Sequence, residues 1–129
     1  IMPVLNEAIR KKIPLKIHLV KRKNKLVYPA RDFVHIQDFL NIILKTIKKN
    51  ISGLNIMNVG NVKLVYLDKI INIFEEKMSK KISYKKKLNS IGNYNYTLSN
   101  NLKLRKVLKY NFQFNFKDII KSCIKKKII

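Results

Sequence analysis

Apolar residues along this chain recur with two spacings, one typical of helices and one typical of strands. Helical spacing predicts helices at 4–12, 39–49, 65–79, 102–108 and 116–127. Alternation or short apolar runs predict strands at 15–19, 33–36, 54–59 and 82–84. The basic stretch 20–30 and the Asn/Tyr-rich stretch 85–98 are expected to be loops. Strands that alternate with helices indicate an α/β fold within one domain, 1–129.

The segment Arg31-Asp32-Phe33-Val34-His35-Ile36-Gln37-Asp38 lies at the centre of this pattern. Its apolar residues predict a strand, and Asp38 is placed to cap a helix that begins at Phe39. Arg31, at the start of the strand, is a fixed cation that can hold an anion through two parallel N–H bonds. Spacing alone, however, favours an ordinary strand-to-helix joint with a surface arginine.

Charge is the most unusual feature of the composition. The formal net charge is +22, which suggests nucleic acid or an anionic surface as a partner. The cations are 25 Lys but only 4 Arg, and arginine is the residue preferred for phosphate forks and base edges. With 20 Ile and 15 Asn, the composition indicates A/T-rich codons. These features argue against nucleic acid as the partner.

Several kinds of site are missing from the sequence. The three glycines lie too far apart for a dinucleotide fingerprint or a phosphate loop, and no Tyr-x-x-x-Lys pair occurs. Cys123 is the single cysteine and only two histidines occur, so neither a disulfide nor a zinc site is expected. A reducing compartment, the cytoplasm, is predicted. No apolar run approaches the roughly 18 residues of a membrane span, and no signal peptide is recognisable. The start at Ile1 suggests a piece of a longer protein.

Taken in order, the motifs resemble those of the extended short-chain dehydrogenases, the family of NAD-dependent nucleotide-sugar epimerases and dehydratases. The 31–38 segment resembles the family signature R-D-[YF]-[IV]-H-[VI]-x-D, and Asn58-Val59-Gly60 resembles its N-[LV]-G. Met2-Pro3, the strand from Pro14 and the helices at 102–108 and 116–124 agree with the family's order. The long connection between Ile17 and Arg31 is similar to that of the UDP-glucose 4-epimerases. The resemblance covers the C-terminal, substrate-binding part only.

The resemblance implies a function for a complete parent protein. A bound NAD would take hydride from C4 of a UDP-hexose and return it to the other face, which interconverts UDP-glucose and UDP-galactose. The glycine fingerprint and the catalytic Tyr/Lys pair belong to an N-terminal half that this chain lacks, so no catalytic and no cofactor-binding residue is expected here. Another epimerase or dehydratase, a degenerate fragment and a small basic nucleic-acid-binding protein remain alternatives. Whether the parent is a homodimer stays open.

The resemblance also implies roles for individual residues. Arg31 falls on the arginine that grips the diphosphate, and Lys16, Ile17 and His18 fall on the strand that lines the uridine pocket. His18 stands where an aromatic residue is common; it could stack on uracil or be a plain exposed strand residue.

A second phosphate clamp departs from the family pattern. Its R-x-G-D-x-x-x-Y-x-x-D aligns on Ser90, Gly92, Asn93, Thr97 and Asn100, so Ser90 replaces the arginine and Thr97 the tyrosine. Weaker substrate binding, altered substrate choice or a decayed gene would each fit. Lysines 85–87 could supply charge, but not a guanidinium fork.

Two further features have simpler interpretations. Six aromatic residues between 94 and 116 could form a platform for single-stranded nucleic acid, although strand and core packing explains them better. Cys123 is expected to be a core residue rather than a reactive thiol.

Overall fold

The computed structural model describes residues 1–88 and 94–125. In this part of the chain the helices are α1 (Met2–Lys11), α2 (Ile36–Lys49), α3 (Leu67–Met78), α4 (Leu102–Leu108) and α5 (Phe116–Lys125). The strands are β1 (Leu15–Arg22), β2 (Lys25–Val27), β3 (Ala30–Asp32), β4 (Leu64–Tyr66), β5 (Tyr84–Leu88) and β6 (Tyr96–Thr97). The predicted α/β character is therefore confirmed.

The strands form two small sheets, each with one antiparallel and one parallel pair. In the first sheet β1 is central, antiparallel to β2 and parallel to β5, in the order β2-β1-β5. In the second sheet β3 is central, antiparallel to β4 and parallel to β6, in the order β4-β3-β6. Arg31 thus lies on the middle strand of the second sheet, paired with Val65 on one side and Thr97 on the other.

Two apolar clusters hold these elements together. The larger joins α1, β1, α3 and α5 through side chains such as Leu5, Ile17, Phe74 and Ile120, which are at most 1% exposed. The smaller joins α2 and α4 through Ile42, Leu104 and Leu108, with Tyr110 from the segment after α4. Burial of these side chains stabilises the fold by about 1.5–3 kcal/mol each.

Helix α2 carries its apolar stripe on the outside. Ile42 packs towards α4, and on the same side Lys45 and Lys49 donate hydrogen bonds to the carbonyls of Lys109 and Val107. The opposite face consists of large apolar side chains that are 40–70% exposed: Ile36, Phe39, Leu40, Ile43, Leu44 and Ile47. A contiguous exposed apolar face of this kind is typical of a surface that another part of a protein covers.

Most predicted helices are confirmed, and the helix predicted from residue 65 begins at Leu67, after the short strand β4. The predicted strand at 33–36 is wrong, because β3 ends at Asp32 and α2 begins at Ile36. The predicted capping role of Asp38 is wrong for the same reason. His35 is the N-cap, and its Nδ1 accepts a hydrogen bond from Gln37 N at 3.1 Å. Asp38 lies in the first turn of the helix and is fully buried.

The predicted strand at 54–59 and two predicted loops are also wrong. Residues 54–59 pair with no strand in the described part of the chain; Leu54 is 91% exposed, while Met57 and Val59 pack against the smaller cluster. Alternating burial of an irregular segment therefore produced a strand-like pattern. The loop predicted at 20–30 contains a hairpin whose turn residues, Lys23 and Asn24, both have positive φ, as a type I′ turn requires. The loop predicted at 85–98 contains β5 and β6.

Candidate functional site

Arg31 is half-buried on β3, and its guanidinium is oriented by backbone carbonyls. Nη1 donates to Ala30 O at 2.7 Å and to Tyr94 O at 3.3 Å. Both hydrogen bonds that Arg31 makes to described residues come from this one nitrogen. A guanidinium has five N–H donors, so the group is positioned with donors remaining for a ligand. The arrangement can hold an anion such as a phosphate.

Asp32, the residue after Arg31, fixes the end of β3 to two distant segments. Its carboxylate accepts hydrogen bonds from the backbone N–H of Asn61 at 3.0 Å, of Val62 at 3.1 Å and of Ser99 at 3.2 Å. Such charge-assisted bonds contribute about 1.5–3 kcal/mol each before desolvation is subtracted. The backbone that carries Arg31 is therefore tied down on both sides. Sequence reasoning gave Asp32 no role, because any backbone N–H can donate these bonds.

Gly60 has no side chain, which allows its backbone to lie close to Asp32 and Ser99. A Cβ at Gly60 would overlap the Ser99 side chain and would lie 2.5 Å from Asp32 Oδ2. The Gly60 carbonyl accepts a hydrogen bond at 2.6 Å from Asn101 Nδ2, which is buried. The interpretation of Asn58-Val59-Gly60 as a strand end missed this contact. Asn101 precedes α4 without capping it through its side chain, whereas Asn100 Oδ1 accepts from Leu102 N at 3.1 Å.

Asp38 performs a similar structural task for α2. Its carboxylate accepts hydrogen bonds from Tyr110 Oη at 2.7 Å and from the backbone N–H of Gln113 and Phe114 at 3.0 and 3.2 Å. The ring of Phe114 stacks on the ring of His35, with 4.3 Å between the centroids. The two aspartates of the 31–38 segment thus bind distant backbone, and only Arg31 has the geometry of a ligand contact.

The predicted uridine-pocket residues lie on β1, in the other sheet. Lys16 and His18 are exposed, whereas Ile17 is 1% exposed and packs in the larger apolar cluster. Because its side chain is buried, Ile17 could contact a ligand on the open face through its backbone alone. The segment Tyr94–Asn95 connects this sheet with Arg31. Asn95 Nδ2 donates to Lys21 O at 3.3 Å, and Asn95 O accepts from Ala30 N at 3.0 Å.

Of the two residues predicted for the second clamp, Thr97 is exposed on β6 and pairs with Arg31. Ser90 lies outside the described residues, as do Gly92 and Asn93. Two cavities flank Thr97, with volumes of about 660 Å³ beside Tyr94 and Tyr96, and about 560 Å³ beside Asp32. Both volumes are in the range of small-molecule sites. The structure therefore pairs Arg31 with Thr97, and of these two residues Thr97 lines the cavities.

The remaining sequence candidates are mostly structural. Tyr94 and Tyr96 are exposed, but Tyr110 is buried and Phe116 packs against Phe33 at 5.0 Å between ring centroids. The aromatic residues therefore do not form one continuous platform. Cys123 is partly buried against the larger apolar cluster, which confirms it as a core residue. In the described residues no cluster of metal-binding side chains occurs, and none of the helices is long and apolar enough to cross a bilayer.

The fold has counterparts among solved structures. No protein-family model and no curated protein matches the sequence. Among solved structures, the UDP-glucose 4-epimerase from Bifidobacterium longum, in complex with NAD+ and UDP, matches 97% of this chain with a TM-score of 0.80 and 16% identity. The UDP-Glc/GlcNAc 4-epimerase from Campylobacter jejuni matches 98% with a TM-score of 0.81 and 19% identity.

A third similar structure is the UDP-glucuronic acid 4-epimerase from Bacillus cereus with UDP-glucuronic acid and NAD, which matches 97% of this chain at a TM-score of 0.79 and 17% identity. The chain covers 38%, 40% and 39% of these three structures, or about two fifths of their length. At this level of identity the likeness establishes the fold. It confirms the expectation of an α/β fold that corresponds to part of a nucleotide-sugar epimerase.

Proposed function

We propose that this chain is the UDP-sugar-binding part of an NAD-dependent UDP-sugar 4-epimerase, an isomerase of carbohydrate metabolism in the cytoplasm. UDP-glucose and UDP-galactose are the proposed substrate pair. Arg31 is proposed to hold the diphosphate, and Thr97, Lys16 and His18 to line the nucleotide end of the site. The observation that carries the proposal is the Arg31 guanidinium, which one nitrogen anchors to two described carbonyls, on a strand whose neighbour Thr97 lines two open cavities.

The exposed apolar face of α2 supports the proposal that another part of a larger protein packs against this chain and binds NAD. A dinucleotide-binding part is proposed to cover this face and to bind NAD, which would supply the hydride acceptor and donor. No residue of this chain is assigned to NAD. The matched structures are about two and a half times as long as this chain, so their fold includes a large part that is not represented here.

The test is nucleotide binding by the full-length protein, measured by calorimetry with UDP and separately with NAD. Arg31→Ala removes the charged fork, and the loss of one or two charge-assisted hydrogen bonds predicts a ten- to hundredfold weaker affinity for UDP, by order of magnitude. NAD affinity should be unchanged, because Arg31 contacts the other ligand. Arg31→Lys should restore only part of the affinity, since an ammonium cannot form two parallel bonds.

Arg22→Ala is the matched control, because Arg22 is an exposed arginine at the end of β1. It should bind UDP as the unchanged protein does. Equal UDP affinity in the Arg31→Ala variant would refute the assigned role. Generic binding to single-stranded DNA with a steep salt dependence, together with no response to UDP, would instead favour the nucleic-acid-binding alternative.

A further inference from the structure

The open face of the β1–β5 pair carries three lysines and a histidine, here called the lysine ladder: Lys16, His18, Lys85 and Lys87. The strand register pairs Lys16 with Lys85 and His18 with Lys87. Ile17 and Leu19 are buried, so the alternate positions on β1 face away from the core. Every residue of β5 is exposed. The ladder is therefore a solvent-facing group of three lysines and a histidine in register.

Lys16 and Lys85 are like charges directly opposite each other, an arrangement that destabilises a pair of strands, and no ion pair in the described part of the chain offsets it. Its ion pairs are Lys11 with Glu7 and Lys81 with Glu75. Most of the other carboxylates there accept hydrogen bonds from backbone N–H groups, as Asp32 does. The ladder thus has an electrostatic cost that a bound anion would remove.

Lys86 provides an internal comparison on the same strand. It pairs with the buried Ile17, and its Nζ lies over the Tyr28 ring at 5.5 Å from the centroid and over Tyr84 at 5.9 Å. A cation over an aromatic face is stabilised within the protein itself. Lys85 and Lys87 have no such cation–π partner among the described residues. The central lysine of β5 is therefore structural, and its two neighbours are available for a ligand.

The ladder approaches Arg31 at its Lys87 end. β1 and β5 run in parallel, so His18 and Lys87 lie nearer to Lys21 than Lys16 and Lys85 do. Lys21 O is bonded to Asn95, whose neighbour Tyr94 accepts from Arg31. Along β1 the step from His18 to Lys21 is about 10 Å. The Lys87 end of the ladder is thus connected to Arg31 through Lys21 and the residues Tyr94 and Asn95.

We propose that the lysine ladder, through Lys87 first and Lys85 second, supplies the second positive contact to the diphosphate of a nucleotide ligand. This inference rests on the proposed UDP-sugar function and deepens it. The uncharged Ser90 occupies the aligned position of the second clamp arginine, and the ladder replaces that charge from the neighbouring strand. Lysines act as mobile point charges, so the contact is more sensitive to salt than an arginine fork.

The test compares UDP with uridine on the full-length protein by calorimetry at low and high salt. Lys87→Ala should weaken UDP binding about tenfold, the loss of one charge-assisted contact, and Lys85→Ala should weaken it less. Uridine, which lacks phosphates, should bind all variants equally. Lys86→Ala is the matched control and should leave UDP affinity unchanged. Circular dichroism during urea unfolding checks that each variant keeps its fold.

The outcomes separate this inference from the function on which it rests. Unchanged UDP affinity in the Lys85→Ala/Lys87→Ala double variant, with affinity lost in Arg31→Ala, overturns the ladder and leaves the proposed function standing. No UDP binding by the unchanged protein overturns both. Equal losses for UDP and uridine, or a loss confined to single-stranded DNA, also overturn the ladder as a diphosphate contact.

Discussion

Asp38→Asn tests whether the buried carboxylate of α2 holds the segment 110–114 in place. Asp38 Oδ1 accepts from Tyr110 Oη at 2.7 Å and from Gln113 N at 3.0 Å, and Oδ2 accepts from Phe114 N at 3.2 Å. Asparagine has nearly the same shape but only one acceptor oxygen. In its best orientation, the new NH2 group faces the N–H of Phe114, so that one donor loses its acceptor.

The magnitude follows from these three bonds. A donor stranded away from water costs about 1–3 kcal/mol, and the two remaining bonds weaken because their acceptor is no longer charged. Asparagine also avoids the cost of burying a charge, which offsets part of the loss. The net expectation is a free energy of unfolding lower by about 2–4 kcal/mol. For a chain of this size that corresponds to a Tm lower by roughly 6–15 °C.

Urea unfolding followed by circular dichroism, at one protein concentration, measures this change. Asp68→Asn is the control, because Asp68 is exposed and its carboxylate accepts only from Lys69 N at 2.8 Å. The control should change stability by no more than about 0.5 kcal/mol. If Asp38→Asn and the control were equally stable, the network would not stabilise α2, and the reasoning would be refuted.

Tyr110 gives the same network a pH dependence. Burial raises the pKa of Tyr110 above its usual 10.0, and the hydrogen bond to Asp38 raises this pKa further. The folded protein therefore keeps this proton at a pH where the unfolded chain has lost it. The contribution of Tyr110 is complete below about pH 10 and decreases as the pH rises through the folded-state pKa. Tyr110→Phe should remove this part of the alkaline loss of stability.

Two further variants test other contacts. Gly60→Ala should lower the free energy of unfolding by about 1–3 kcal/mol, because the new methyl overlaps Ser99. Gly53→Ala is its control: φ there is +70° but the space is open, so backbone strain alone should cost about 1 kcal/mol. Equal losses in urea unfolding would contradict the overlap. Glu75 accepts from Ile82 N at 2.7 Å, which is the main cause of its lowered pKa. Its contribution is present above about pH 4.5 and decreases as the pH falls through the lower folded-state pKa, so Glu75→Gln should flatten the acid limb of the stability profile. An unchanged acid limb would show that this bond is absent in solution.

The sequence predicted the helices well, because the buried side chains of a helix recur at helical spacing within its own sequence. In α3, for example, Ile70, Ile71 and Phe74 are buried at helical spacing. The strands β4 and β6 contain three residues and two residues, and their pairing depends on β3 rather than on their own sequence. Local patterns cannot predict such strands. The wrong strand at 33–36 has a local cause. The helix is capped by His35, three residues before Asp38, which the sequence pattern favoured as the cap.

At the candidate site, sequence order could single out Arg31 but not its surroundings. Its acceptor at Tyr94 is a carbonyl, a group present in every residue, so no side-chain pattern signals it. The same holds for the N–H donors that reach Asp32 from 61, 62 and 99. The buried Gly60 did have a usable signal. A glycine at the end of an apolar run can mark a close approach of two backbone segments.

The two aspartates of the 31–38 segment and the arginine beside them perform separate tasks. Asp32 and Asp38 accept hydrogen bonds from distant backbone, whereas the Arg31 side chain makes its two hydrogen bonds to described residues through one nitrogen. Loss of the arginine would therefore leave most of the fold's polar connections intact. The residues that fix this fold and the residue proposed to bind a ligand can therefore change independently of each other.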